Sequence, residues 1–274
     1  MGVAGLLNTR RALTRSSQSS PEMPYVAALE GLYTNGVKFR HGQLIMVVGR
    51  PGSGKTAFAL WLAAQWNLPT EYCSADMDAT AISTRVAAMR TGVPTDEIET
   101  MMRGNDAESI LSSVDSTHMT YSFDSPITEK GLTEELTAFL ELNGDWPSVL
   151  VIDNLMDVEF CATDREEQMH FLQRLSEMTR WGKGITIIVL AHARELTNDV
   201  VNPPSRDELN NKLSQKPRLT LSVAINPMTS EFRVACLKQS GGKADPSAQD
   251  YRTLQAYPNT NRFGPYVVPG PAKW

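Results

Sequence analysis

The chain has 274 residues, with 26 Lys and Arg against 31 Asp and Glu, for a formal net charge of −5. Its 41% hydrophobic and 21% charged residues suit one large soluble domain, and no apolar run approaches the ~20 residues that span a bilayer, so membrane and fibrous classes are excluded. Overall acidity argues against nucleic-acid binding through net charge and leaves open a local basic channel assembled from several subunits.

Residues 1–24 hold Arg10, Arg11, Arg15, a Ser-Ser-Gln-Ser-Ser run, Pro21 and Pro24, with no sustained apolar period, and are expected to form a flexible arm. Their apolar stretch is short and precedes the arginines, the reverse of a signal peptide, and Leu6 breaks the myristoylation pattern. Cys73, Cys161 and Cys236 have neither CxxC nor Cys/His spacing. A cytoplasmic chain with reduced cysteines and no structural zinc is expected.

From Tyr25 onward, short apolar runs alternate with longer helical stretches. Strands are expected at 44–48, 70–73, 119–123, 149–152 and 185–190, and helices at about 54–66, 79–91, 130–142 and 165–181. This is the pattern of a mostly parallel sheet flanked by helices. Trp61 and Trp66 are expected to pack against that sheet. The polar stretch 194–217, with three prolines, is too long for a routine connection and marks a functional loop. Further strands at 219–224, 232–237 and 251–255, joined by short turns, predict an antiparallel C-terminal extension. One α/β domain over 25–256 would then end in an irregular tail, 257–274.

The sequence Gly49-Arg50-Pro51-Gly52-Ser53-Gly54-Lys55-Thr56 sits between an apolar strand and a helical run, which is the complete context of a phosphate-binding G-x-x-x-x-G-K-[ST] loop. Glycines permit positive φ, so successive N–H groups turn inward at the positive end of the following helix. Lys55 is placed to reach the β and γ oxygens of ATP, and Thr56 to ligate Mg²⁺. Asp153 ends the strand Val-Leu-Val-Ile-Asp, where a second carboxylate holds the Mg²⁺ shell through water. Asn154 follows it, so a general base beside the metal carboxylate is missing. Asp76, 21 residues after Lys55 and on a strand expected to lie next to the phosphate-loop strand, is the candidate base, with helix capping shared with Asp78 as the alternative.

Taken together these residues resemble the motor domain of DnaB-type replicative helicases, within the RecA-like P-loop ATPases. Ser74-Ala75-Asp76-Met77 is similar to that family's Ser-Leu-Glu-Met, with Arg85 nine residues beyond Asp76 as the pattern requires. Val189 to Glu195 resembles the strand that ends in the γ-phosphate sensor, which makes His192 that sensor. Pro203 to Asn211 is loosely similar to the family's Pro-x-x-Ser-Asp-Leu segment. Phe232 to Lys243 resembles the strand and turn carrying finger residues that enter the neighbour's ATP site. Asp76 replaces the family's Glu, and Ser240 stands where the finger arginine is expected, leaving Lys238 or Lys243 to supply charge.

The resemblance implies a RecA-like fold, ATP and Mg²⁺ as cofactors, and a homo-oligomer, a hexamer, that hydrolyses ATP between subunits while moving on single-stranded DNA. A primase or helicase loader is the implied protein partner, and a phage-encoded chain in the host cytoplasm the implied setting. DNA contact would fall on loops at 157–168, which is acidic, and 194–216, which offers Arg194, Arg206, Lys212 and Lys216. A RecA or RadA-like recombination ATPase and an accessory ATP-binding protein without unwinding activity remain open as alternatives.

Overall fold

Runs such as Leu-Ile-Met-Val-Val carry no polar face, so they can only form strands covered on both sides by helices. The computed structural model describes residues 21–104, 106–115, 118–194, 200–209 and 213–266. In chain order its strands are β1 (Leu44–Gly49), β2 (Thr70–Ser74), β3 (Met119–Ser122), β4 (Val149–Asp153), β5 (Thr186–His192), β6 (Leu219–Asn226), β7 (Glu231–Gln239), β8 (Tyr251–Tyr257) and β9 (Arg262–Pro265). The helices are α1 (Glu30–Thr34), α2 (Lys55–Trp66), α3 (Ala79–Thr91), α4 (Thr95–Arg103), α5 (Ala107–Val114), α6 (Glu129–Asn143) and α7 (Arg165–Met178).

One sheet runs in the order β3-β2-β4-β5-β1-β6-β7-β8-β9, parallel from β3 to β6 and antiparallel from β6 to β9. This is the RecA-like arrangement that the sequence resemblance implies. Strand parity divides the core. Ile45, Val47, Val151, Ile188 and Leu190 face α2 and α3, whereas Leu44, Met46, Val48, Ile152 and Val189 face α6 and α7. Trp61 and Trp66 are both 2% exposed and pack in the first of these layers, as expected.

Four features differ from the sequence expectation. First, β2 is not beside β1, because β4 and β5 lie between them. Chain neighbours in a right-handed crossover fold need not be sheet neighbours, so Asp76 leaves the sheet beside Asp153, where Ser74 pairs with Asp153.

Second, α4 and α5 occupy a stretch for which the sequence pattern predicts no element. Ile98 and Ile110 bury themselves with Ala87 and Ala88 of α3 in a small separate cluster, a one-sided burial whose apolar signal is sparse.

Third, the C-terminal stretch is not irregular throughout. β9 pairs with β8, and Phe263 packs edge-on against Phe58 and Trp61 and tilted against Phe232, over α2. Arg262 donates from Nε to Met89 O at 2.7 Å and from Nη2 to Arg90 O at 3.0 Å, satisfying carbonyls left open at the end of α3. Fourth, the expected arm is shorter at its end, since Glu22 bridges Arg40 and Met23 is 6% exposed.

Candidate active site

β1 ends at Gly49, whose Cα faces His192 across the parallel pair with β5, so the glycine loop after β1 and the end of β5 leave the sheet together. A Cβ on Gly49 would stand 2.2 Å from Ser53 Oγ and 2.8 Å from the Val223 carbonyl, so only glycine lets the loop turn there. Gly54, at φ +82°, is the N-cap of α2, and the helix N-terminus it opens points into the loop.

Lys55 is 7% exposed. Its Nζ donates to Gly49 O at 3.0 Å and Arg50 O at 2.9 Å and lies 3.3 Å from His192 Nδ1. With Nδ1 facing an ammonium donor, a neutral His192 ring carries its proton on Nε2. Burial, then the Lys55 charge, lower the His192 pKa against a smaller opposing pull from Asp76, which keeps the ring neutral near pH 7.

Thr56 donates to Asp153 Oδ1 at 3.2 Å, and Tyr72, fully buried on β2, donates to Asp153 Oδ2 at 2.8 Å. Burial raises the Asp153 pKa, while these two hydroxyls and Lys55 pull it back. Tyr72 thus fixes the carboxylate from behind; its only sequence trace is an aromatic two residues before Ser74-Ala75-Asp76-Met77, which no motif singles out.

A hydroxyl and a carboxylate form a hard-oxygen donor pair suited to Mg²⁺, which takes few protein ligands and fills its octahedron with water and phosphate oxygens. The buried Ser53 Oγ has no hydrogen-bond partner among the described residues, an orphan donor in the cradle that a phosphate oxygen fits.

Asp76 is exposed, and capping of α3 falls to Asp78, whose Oδ1 accepts from Ala81 N at 2.8 Å. Asp76 is near enough to act electrostatically on His192 and on Asp157. The fold therefore gathers Lys55, Thr56, Asp76, Asp153 and His192 around one phosphate loop.

The remaining candidates lie elsewhere. Within the loop, only the backbone of Arg50 joins the cradle, since its side chain turns away to Glu208; Pro51 and Gly52 are exposed at its tip. Lys238, beside Thr220 at the start of β6, sits at the end of the parallel strands opposite its own phosphate loop. Its Nζ donates to Ser214 O and Gln215 O, both at 2.7 Å. Lys243 reaches Asp250 Oδ2 at 3.0 Å. Arg206 Nε donates to Ser214 Oγ at 3.1 Å, and Lys216 Nζ to Gln173 Oε1 at 2.6 Å, whereas Arg194 is exposed. Lys212 lies outside the described residues. In the acidic loop, Asp157 accepts from Asn154 N, and Asp164 caps α7.

One pH dependence follows. Burial, opposed by Asp153, drives the Lys55 pKa down to about 8. A bound polyphosphate raises it again, so above that pH nucleotide binding must take up a proton. Affinity for ATP is expected to fall as pH rises through 8, by up to about tenfold per pH unit, whereas below pH 7 it should be flat with respect to this group. Equilibrium titrations with a fluorescent nucleotide between pH 6.5 and 9.5 check this; a flat profile means the ammonium does not meet the phosphates.

A family model described as the DnaB-like helicase C terminal domain matches residues 28–204. The Gene 65 protein of Mycobacterium phage L5 is 27% identical over 262 residues, covering 91% of this chain and 96% of that protein. A solved structure of a DnaB-like replicative helicase, described with its interactions with primase, superposes with a TM-score of 0.75 at 14% identity, over 95% of this chain and 69% of the other. The RadB recombinase superposes with a TM-score of 0.54 at 15% identity, over 88% and 97%.

Proposed function

The chain belongs to the DnaB-like helicase C-terminal domain family, and from that premise we propose that it is the ATP-hydrolysing motor of a replicative-type DNA helicase, acting as a homo-oligomer, a hexamer, on single-stranded DNA. The observation that carries the reading is the convergence of Lys55, Thr56, Asp153 and His192 on one glycine loop at a helix N-terminus.

In this proposal the loop N–H groups and Lys55 hold the β and γ phosphates and offset the charge that develops as the γ-phosphoryl leaves. Thr56, and Asp153 through water, hold Mg²⁺, which supplies charge neutralisation at the phosphate oxygens. Tyr72 keeps Asp153 aimed. Asp76 accepts the proton of the attacking water, and His192 reports the γ-phosphate through the N–H on Nε2. Lys238, remote from its own loop, serves the loop of a neighbouring subunit, so a lone chain is an incomplete catalyst. A primase or helicase loader is the proposed protein partner.

The ties of Lys238, Arg206 and Lys216 to groups of their own chain favour a second reading, an accessory ATP-binding protein that does not unwind DNA. The likeness to RadB concerns fold alone and adds no support to recombination. Steady-state ATP hydrolysis with and without single-stranded DNA, alongside light scattering for mass, separates the readings. The motor reading expects turnover stimulated several-fold by DNA in a species of about six subunits. ATP bound without turnover by a monomer or dimer favours the accessory protein.

A further inference from the structure

The segment following β5 is tied to the phosphate loop through one buried carboxylate. Glu208 pairs with the Arg50 guanidinium, their side chains being 11% and 7% exposed. The other Glu208 oxygen, Oε2, accepts from Ser205 N at 2.8 Å, and its backbone carbonyl accepts from Arg194 N at 2.9 Å. One residue before Arg194, Ala193 N donates to Gly49 O at 3.1 Å. Glu208 therefore touches the phosphate loop through its side chain and the exit of the sensor strand through its backbone. A second guanidinium grips the same segment: Arg50 Nη1 donates to Asn202 O at 3.0 Å, and Arg233 Nη1 of β7 to Asn202 Oδ1 at 2.6 Å.

A buried ion pair adds little stability over a neutral pair of equal volume, yet it fixes one arrangement sharply, because breaking it strands a charge. Arg50 belongs to the loop that must adapt to a phosphate, and its backbone carbonyl also accepts from Lys55. Any shift of the loop is therefore felt at Glu208, and through it at residues 200–209 and at Arg194.

Resting on the reading of this loop as an ATP site, we propose that Glu208 is a positioning residue that couples nucleotide occupancy to the segment 200–209, by holding Arg50 and the end of the sensor strand in one register. It contacts no phosphate itself.

The test compares the wild-type full chain with Glu208→Gln, using ATP with Mg²⁺. In the wild type, amide hydrogen exchange across 200–209 is expected to slow on ATP binding. In Glu208→Gln that response is lost and KM for ATP rises about tenfold while kcat stays within about threefold, a split that general loss of structure does not produce. The double variant Arg50→Gln/Glu208→Gln leaves no stranded charge, so it should melt like the wild type yet also lack the exchange response. A wild-type exchange pattern indifferent to ATP, or a Glu208→Gln chain that matches the wild type in both exchange and KM, overturns the coupling. Absence of ATP binding by the wild-type chain is a different failure: it removes the ATP-site reading and the coupling with it.

Discussion

Lys55→Ala is expected to abolish ATP turnover, by about 10³-fold or more, without lowering the melting temperature. The two halves of that result have a common origin. The ammonium is nearly buried and, among the described residues, meets two carbonyls and a histidine nitrogen, while Asp153 attracts it from farther off. Its pKa is pulled down to about 8, mainly by burial, so the free protein bears a cost for keeping it charged at neutral pH. That cost is present below the lowered pKa and is relieved as pH rises from there toward the ordinary lysine value. Removing the side chain removes the cost, and with it the charge that a triphosphate needs. Turnover assays and thermal melts on the same preparations check both halves. Turnover near the wild-type rate would move the phosphate site elsewhere; a large fall in melting temperature would make Lys55 a structural residue.

What was legible in the sequence were the features written in contiguous residues. The glycine loop Gly49 to Thr56 lies between the strand and the helix expected on either side of it, and the helix at 79–91 ends where expected, because Asp78 caps its start and Gly92 takes a positive φ at its end. Features made by distant residues were not legible. Tyr72 meets Asp153 across 81 positions, and Arg50 meets Glu208 across 158, so neither pair leaves a local pattern. The sheet order hid for the same reason, since two later strands insert between β1 and β2. β9 is four residues long and preceded by the turn-forming run Pro258 to Asn261, and its place is decided by Phe263 packing between aromatics that are remote in the chain. Arg206 and Lys216 read as available cations until their partners Ser214 and Gln173 are seen.

Asp76→Asn is the second large effect: nucleotide affinity should hold within about twofold while hydrolysis falls by about 10² or more. The prediction rests on what Asp76 is spared from doing. Asp78 caps α3, Asp153 is held by Thr56 and Tyr72, and Asp157 accepts from Asn154 N at 3.1 Å. Asp76 has no hydrogen-bond partner among the described residues and is exposed at the end of β2, so neutralising it should cost no fold. Asp157 is the natural competitor, since burial raises its pKa and Asp76 lies close enough to raise it further. Single-turnover hydrolysis separates the two. If Asp76→Asn turns over normally and Asp157→Asn does not, with equal ATP binding in both, the base is Asp157. Asp76→Glu sharpens the comparison, because it restores the longer side chain of the helicase pattern: a base working at the limit of its reach should speed up with the added methylene, whereas a solvated bystander should leave the rate where it was.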